Sequence, residues 1–509
     1  RMSIAMDEIT RTVHDGQAVP LSYAQEQLCF LQKLEPGLTA YNLPRVFRLT
    51  GALDADAVER AFQAVVARHA ILRTHFVEHD GVPMQVVQAE VPFALECIDL
   101  SDQGADAQQA AVDALVRRTA THVFDLGRAP ALVARLAKLA DDRHVLAVCL
   151  HHIVSDAWSN PILARDLGAA YALALRSEGP VQLPPLPVQY ADFAVWQRAR
   201  VQGGALAPQL AHWNRHLGDE VPSLDLPTDR ARPAQQTFAG TALGFELPPA
   251  LAEGQQTFCR AERCTPFVVL LAAWQVLLSR CSGQDDFAIG VPNAGRHREE
   301  VQDLLGFFIT TQVFRARLAP RRTLREVCRQ VRADALAALD HADLPFEVLL
   351  ASRKDRRDPA RSPLFQAMFG VQMAGEAVAL DFAGVRAELQ EFDDAGAKFD
   401  LSLDFYIDPQ SVRGRLEYNT DLFDATTAQR LVRAYQRVLQ AMSDDPDRVL
   451  ANLVLTDADD EARLRAWSEN LPHRPYTQPV HQVIEAQARE RPEAVALVFG
   501  DTVLRYGEL

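Results

Sequence analysis

The sequence is poor in several features, and each shortage removes a class of function. No C-x-x-C pair occurs among the seven cysteines, which are odd in number and scattered at positions 29, 97, 149, 259, 264, 281 and 328. That spacing builds neither a disulfide framework nor a zinc site, so the thiols are expected to be reduced and mostly buried. No sustained basic run offsets the formal net charge of -15, which argues against nucleic acid as a partner. No apolar stretch reaches the length of a membrane span, and the N-terminus lacks the basic, apolar and small-residue order of a signal peptide. The expected setting is the cytoplasm, with no membrane partner. The hydrophobic share of 48% and charged share of 23% are those of an ordinary soluble protein, and 509 residues imply two or three domain-sized units.

What the sequence does contain is organised around His151-His152-Ile153-Val154-Ser155-Asp156-Ala157-Trp158-Ser159. The apolar run Val145-Leu146-Ala147-Val148-Cys149-Leu150 before it is short and flanked by charge, and reads as a strand buried on both faces. Asn160 is placed as an N-cap and Pro161 at the first position of a following helix, whose positive end would face the histidines. If both histidines belong to the strand they point to opposite faces, so only one faces a given cavity. That geometry disfavours a metal site built on the pair and favours one working and one structural imidazole. Asp156 needs a cation if it is buried. Cys149 shares the strand parity of His151, but nothing marks its thiol as ionised, and an inert buried residue is expected.

Along the chain, Arg1 before Met2 reads as an added residue ahead of a native start, and residues 3–18 as a short helix. Ser22 caps a helix through Leu31, ended by Glu35-Pro36-Gly37. A strand at 42–49, an amphipathic helix at 53–68 and a strand at 72–77 give an α+β alternation. After the histidines, the helix to Leu175 runs into Leu183-Pro184-Pro185-Leu186-Pro187, an extended connector, and a further helix starts at Tyr190. From near Thr237 the order of apolar helix (265–279), strand (287–291) and loop Pro292-Asn293-Ala294-Gly295-Arg296 echoes the first lobe without its histidines. An acidic stretch beyond Ala451 suggests a linker, and residues 481–509 read as a helix and two strands, at 494–499 and 502–505, that stop mid-fold.

Several separate blocks resemble a nonribosomal peptide synthetase condensation domain. They are Leu21 through Leu31 with Tyr41-Asn42-Leu43-Pro44, then Arg68-His69-Ala70-Ile71-Leu72-Arg73-Thr74, the histidine stretch, residues 190–198, and residues 290–296 leading to Gly306-Phe307-Phe308. His341-Ala342-Asp343-Leu344-Pro345-Phe346-Glu347 and Arg361-Ser362-Pro363-Leu364-Phe365-Gln366 complete the set. The tail ending Leu504-Arg505-Tyr506-Gly507-Glu508-Leu509 resembles the first motif of an adenylation domain. The resemblance implies two chloramphenicol acetyltransferase-like lobes in a V-shaped pseudo-dimer, with a tunnel where they meet. The expected division is an N-terminal segment 1–19, a first lobe 20–185, a second lobe 186–450, a linker 451–479 and a severed adenylation start 480–509.

By that resemblance, an acyl thioester enters from one side on a phosphopantetheine arm, and an aminoacyl thioester from the other supplies the attacking amine. His152, with His151 beside it, corresponds to the histidine that meets the amine, as base or by positioning. Asp156 corresponds to a structural carboxylate, with Arg296 as its ion-pair partner. Backbone N–H groups of Ala157, Trp158 and Ser159 are oxyanion donors, and Asn160, Thr310 and Thr311 are tunnel candidates. Ala157 stands where Gly is usual, and at positive φ it would cost about 1 kcal/mol. Thr310 stands where Asn is common and Cys29 where Trp is common. No permanently bound cofactor and no metal is implied. The implied partners are a downstream peptidyl carrier protein and adenylation domain, and upstream either a carrier protein or acyl-CoA, with the chain itself a monomer.

Two subtypes fit the first block: the elongation type joining L-configured donor and acceptor, and the starter type that takes acyl-CoA. If Met2 is the true start, the second stands level with the first. Epimerisation domains lack an adenylation start, and cyclisation domains carry Asp in place of the histidines. A non-catalytic recruitment platform is the rival from another class, although such domains typically have damaged histidine motifs. Trp158 and Trp196 are read as packing residues, and His69, His144 and His341 as surface or hydrogen-bonded histidines. Arg353-Lys354-Asp355-Arg356-Arg357 is read as a solvated loop, with carrier-protein docking as the alternative.

Overall fold

The computed structural model describes residues 8–355, 358–373, 380–390, 396–469 and 478–509. Of the expected N-terminal helix, residues 1–7 lie outside the described residues and residues 9–14 take no regular secondary structure. The Thr12 N–H and His14 Nε2 both reach Asp192 Oδ1 at 2.9 Å, which draws the segment away from a helical path. Strand β1 (Ala18–Pro20) leads to α1 (Tyr23–Leu34). Ser22 caps α1 reciprocally, accepting the Gln25 N–H while the Gln25 side chain accepts the Ser22 N–H. Strand β2 (Asn42–Thr50) and helix α2 (Ala55–Arg68) follow. The strand expected at 72–77 begins later. Residues Ala70–Arg73 form a 3-10 turn first, and β3 (Thr74–His79) then pairs with β4 (Val82–Val87).

Strand β5 (Glu96–Asp99), helix α3 (Ala105–Ala120), strands β6 (Leu132–Ala140) and β7 (Arg143–His151), and helix α4 (Ser159–Ala174) come next. The apolar run before the histidines lies in β7, flanked antiparallel by β2 and β6, and residues 144–151 are all buried. A continuous apolar strand is what a position covered on both faces requires. Helix α4 starts two residues earlier than expected, with Trp158 rather than Asn160 at the cap position and no side-chain cap bond from it.

Helices α5 (Tyr190–Gln202) and α6 (Ala207–Leu217) bridge to the second sheet. Then come β8 (Gly240–Glu246), α7 (Pro249–Glu262), α8 (Pro266–Ser282), β9 (Asp286–Asn293), β10 (Thr310–Arg317), α9 (Leu324–Asp340) and α10 (Phe346–Ser352). Strands β11 (Ala367–Met373), β12 (Arg386–Gln390), β13 (Leu401–Ile407) and β14 (Val412–Asn419) and helix α11 (Ala425–Asp444) complete this part. The second sheet runs β10-β9-β11-β13-β14-β8. Helix α8, capped by the Thr265 side chain, is apolar on nearly every side, Gln275 apart, as the burial of residues 268–278 requires.

Strand β12 leaves this sheet and pairs antiparallel with β2, so the first sheet runs β12-β2-β7-β6-β5. Tyr190, Phe193, Val301, Leu304, Leu305, Phe308, Phe382 and Val385 also belong to the first lobe's core. Three segments beyond the expected boundary at 186 therefore serve the first lobe: α5, residues 301–308 and residues 380–390. Their apolar side chains find their burial there, which a division by sequence order does not register.

The chain forms one compact unit to Leu453 and a second from Val454. The second unit holds α12 (Ala458–Glu469), inside the expected linker, then α13 (Val480–Glu490) and the hairpin of β15 (Val495–Phe499) and β16 (Thr502–Arg505). Among the described residues no single helix is long and apolar enough to cross a membrane.

Gly168 on α4 admits the crossing segment: a Cβ there would stand 2.5 Å from the Asp381 carbonyl oxygen. Gly168→Ala is favoured by helix propensity by about 1 kcal/mol, but the clash with backbone outweighs it. The variant is expected to lose hydrogen-exchange protection at the amides of β12 while β6 and β7 keep theirs. Uniform protection in the variant would show that the crossing does not depend on this contact.

Candidate active site at the lobe junction

The two histidines are divided by the end of β7. His151 is the last strand residue, and its N–H donates to the Ala131 carbonyl at 3.0 Å. His152 opens a 3-10 turn (His152–Val154), and its N–H donates to the Tyr41 carbonyl at 2.8 Å. The buried His151 ring accepts the Ile153 N–H at Nδ1, 3.1 Å, so its proton sits on Nε2, which has no partner among the described residues. The half-buried His152 ring lies with Nδ1 2.8 Å from the Ser155 carbonyl. A carbonyl only accepts, so Nδ1 carries the proton and Nε2 presents a lone pair.

Burial, helped by the Lys398 ammonium, pushes the His152 imidazole down to about 3 and the His151 imidazole down to about 4. Both are neutral near neutrality. The Phe307 ring covers His152 at 4.5 Å between centroids, and Phe124 meets His151 edge-on at 5.9 Å. The Cys149 thiol is pushed up to about 12 by burial, which removes it as a nucleophile.

Asp156, fully buried, accepts at Oδ1 from the Ser159 N–H at 2.9 Å, the Ser159 hydroxyl at 2.8 Å and Arg296 Nη2 at 3.1 Å, and at Oδ2 from the Phe308 N–H at 3.1 Å. Its position before the first turn of α4 also suits the helix dipole. Arg296 donates from Nη1 to the Val301 and Leu304 carbonyls at 2.8 and 2.6 Å and from Nη2 also to Ser159 Oγ at 3.0 Å. Its guanidinium lies 4.1 Å from the centre of the Phe308 ring. Ser159 Oγ further accepts the Gly306 N–H at 3.2 Å. The ion pair thus ties the first lobe's histidine loop to a strap, residues 296–308, that comes from the second sheet.

Other residues fasten the same strap. The Tyr190 hydroxyl donates to the Phe307 carbonyl at 2.6 Å and accepts from Ser22 at 2.9 Å. His69 accepts the Leu305 N–H at Nδ1, 3.3 Å, and therefore donates from Nε2 to Asp166 Oδ2 at 2.7 Å. Gly306 has no room for a Cβ, which would stand 2.2 Å from the Tyr190 ring. The sequence hides these roles, its only signal being that His69, Tyr190 and Gly306 fall in the family-like blocks.

The structure does not gather the remaining candidates at the site. Ala157 and Trp158 are exposed, Trp158 by 37%, so Trp158 is no packing residue. Outside glycine, positive φ among the described residues occurs only at Asp80, Arg263 and Leu364, so Ala157 carries no strain and its anticipated cost disappears. The Ser159 N–H is taken by Asp156, which removes it as an oxyanion donor. The Asn160 N–H points to the Ala157 carbonyl at 3.3 Å, and its residue is buried. The Thr310 hydroxyl accepts the Phe346 N–H at 3.1 Å and so holds the start of α10, while Thr311 pairs with Pro292 across β9. His144 is buried with Nδ1 unpartnered among the described residues, and His341 stacks on His212 at 3.7 Å. In the loop expected to be solvated, the Arg353 side chain is covered against Asp355 and the Gly218 carbonyl, and 356–357 lie outside the described residues.

An open cavity of about 1070 Å³ lies between α1, the β3–β4 hairpin, α5 and α10. Phe124 lines it and also touches His151, so the cavity ends one ring from the histidines. Cys29 and Phe30 line it, with Glu26, Arg198 and Glu347 on the polar side. Burial pushes the Glu347 carboxyl up to about 7.

The family model described as "Condensation domain" matches residues 16–465. The chain is 38% identical over 496 residues to a linear gramicidin synthase protein of Brevibacillus parabrevis, covering 96% of this chain and 6% of that protein. It is 35% identical over 500 residues to the malpibaldin synthetase of Mortierella alpina, covering 98% of this chain and 9% of that one. It therefore spans less than a tenth of these relatives' lengths. The X-domain solved in complex with OxyB from teicoplanin biosynthesis superposes with a TM-score of 0.80 at 26% identity, covering 88% of this chain and 98% of that one.

Three outcomes are expected from this geometry. Arg296→Met leaves Asp156 charged and buried without its cation and should cost about 3–5 kcal/mol in urea unfolding; an unchanged midpoint would show the pair to be dispensable. In the folded chain His151 and His152 resist the proton that unfolded imidazoles take at about 6.5. Stability should therefore fall as pH drops below about 6.5, through the range down to the folded values. In ¹⁵N NMR the His152 Nε2 signal should be that of an unprotonated nitrogen at pH 6, and an imidazolium signal there would contradict the structure.

Proposed function

The chain belongs to the condensation-domain family of nonribosomal peptide synthetases, and on that premise we propose that it joins a donor acyl or peptidyl thioester to the amine of an aminoacyl group on a carrier protein. The observation that supports this best is the His152 ring: its tautomer is fixed by the Ser155 carbonyl, and its free Nε2 stands at the junction of the lobes. As the amine attacks the thioester carbon, a C–N bond forms and the carbonyl pair moves to oxygen. Nε2 takes the amine proton. The oxyanion then collapses, the C–S bond breaks and the thiol leaves with that proton. Of the candidate loop donors, the Ala157 and Trp158 N–H groups remain for the oxyanion.

Both thioesters would arrive on phosphopantetheine arms, from an upstream and a downstream carrier protein, with the downstream adenylation domain beginning in residues 480–509. In the starter variant acyl-CoA replaces the upstream carrier. Nothing needs to stay bound between turnovers, and a cytoplasmic setting supplies every one of these donors. The cavity of about 1070 Å³ beside His151 has room for such an arm.

A second reading, a recruitment platform, draws on the likeness to the X-domain that was solved with OxyB. The intact His152 geometry argues for catalysis instead.

Single-turnover mass spectrometry decides, with the full chain, a loaded aminoacyl carrier protein, and either acyl-CoA or an acyl carrier protein as donor. Product is expected to fall about 10²–10⁴-fold in His152→Ala with the fold intact. Product from acyl-CoA identifies the starter role and product only from a carrier the elongation role. No product from any donor would favour recruitment.

A further inference from the structure

Lys398 is a charged group at this site that the mechanism above leaves unused. It lies three residues before β13, on the segment that leads into the second sheet, yet its ammonium nitrogen sits 4.8 Å from the centre of the Tyr41 ring. Tyr41 is the residue whose carbonyl binds the His152 N–H, and its ring is 6.4 Å from the His152 ring. No hydrogen bond or ion pair of the Lys398 ammonium is formed among the described residues. The carboxylate that it feels, Glu417 on β14, is paired with Arg415 at 3.1 Å.

The groups around Lys398 are short of free negative charge. His151 at the end of β7, His152 in the turn after it and Tyr41 ahead of β2 offer no anion, and Glu417 is engaged by Arg415. Burial alone pulls the Lys398 ammonium below its ordinary range, and Lys398 in turn is the charge that most holds both histidines neutral. A cation and a proton acceptor with a suppressed appetite for protons are poor company in the resting site. They become favourable together only when a negative charge appears between them, and the tetrahedral oxygen of the condensation step is such a charge.

We propose that the Lys398 ammonium is the counter-charge of the oxyanion in the condensation step, an inference that rests on the amide-forming reading above. It moves no proton. The amine proton still passes to His152 Nε2 and on to the leaving thiol, while Lys398 faces the carbonyl oxygen as it gains its electron pair.

The test compares the full chain with Lys398→Met and Lys398→Arg. In the single-turnover assay Lys398→Met should lower the maximal rate constant about 10²-fold, leave the half-saturating acceptor concentration unchanged, and be restored to within about tenfold by Lys398→Arg. The second readout needs no turnover: the infrared carbonyl stretch of ¹³C-labelled acetyl-pantetheine thioester bound at saturation should lie lower in the wild type than in Lys398→Met, because a nearby cation polarises the bond. An unchanged rate in Lys398→Met, a loss that Lys398→Arg does not restore, or a carbonyl band that does not move would each overturn the proposal. A wild-type chain that yields no product with any donor rejects the reaction, whereas the carbonyl band still decides on Lys398.

Discussion

The constraint on which this molecule turns is the buried carboxylate of Asp156. A charge at that depth has no water to serve it, so each of its acceptor sites must be met by protein or the fold loses several kcal/mol. Here the Ser159 N–H and hydroxyl, the Phe308 N–H and Arg296 meet them. Two of those partners come from beyond the second sheet's β9, so the demand of one carboxylate closes the junction. Arg296 has the same problem with opposite sign, and its Nη1 donates to the Val301 and Leu304 carbonyls. The strap is therefore shaped around the guanidinium, and the apolar residues Val301, Leu304, Leu305 and Phe308 fall into the first core as a result.

The ring assigned to meet substrate depends on this arrangement at one remove. His152 is held by two carbonyls, Tyr41 at its N–H and Ser155 at Nδ1, and is roofed by Phe307 from the strap. If the strap loosened, water would reach the imidazole, and the desolvation that keeps it neutral would weaken. Its state of charge is thus a property of the junction between lobes and not of the histidine motif alone. The division of labour between the histidines has the same origin: one hydrogen bond, from the Ile153 N–H to His151 Nδ1, uses up the lone pair that would have made His151 a competitor.

How much of this is legible in the sequence follows from the range over which each signal acts. The buried strand, the Ser22 cap, and the helices at 55–68 and 266–282 depend on neighbours a few residues away, and periodicity or capping chemistry displays them. The Asp156–Arg296 pairing is accessible only through the family-like blocks, since nothing local marks either residue. The return of β12 to the first sheet is not accessible, because its five residues, Arg-Ala-Glu-Leu-Gln, carry little apolar pattern and find their place only by pairing with β2. Asn160-Pro161 has the form of a cap and so puts the start of α4 too late, while the bond that ends the loop is made by Asp156 to the Ser159 N–H. Substitution of the usual Gly by Ala157 suggests a strain that its actual φ does not impose.

The second lobe lacks the paired histidines, yet it is not a passive half. It sends three things into the first lobe's territory: the Arg296 strap, the 380–390 crossing that completes the first sheet, and the Lys398 ammonium over Tyr41. The strap meets the histidine loop, Lys398 meets Tyr41, and the crossing pairs with the far half of β2, so moving one lobe against the other would disturb ion pair, sheet edge and site charge together. A two-lobed protein whose chemistry sat wholly in one lobe would need none of these. That all three tie into the first lobe is the physical reason to treat the lobes as one body, in which, on the proposed mechanism, the first supplies the base and the second supplies the field around it.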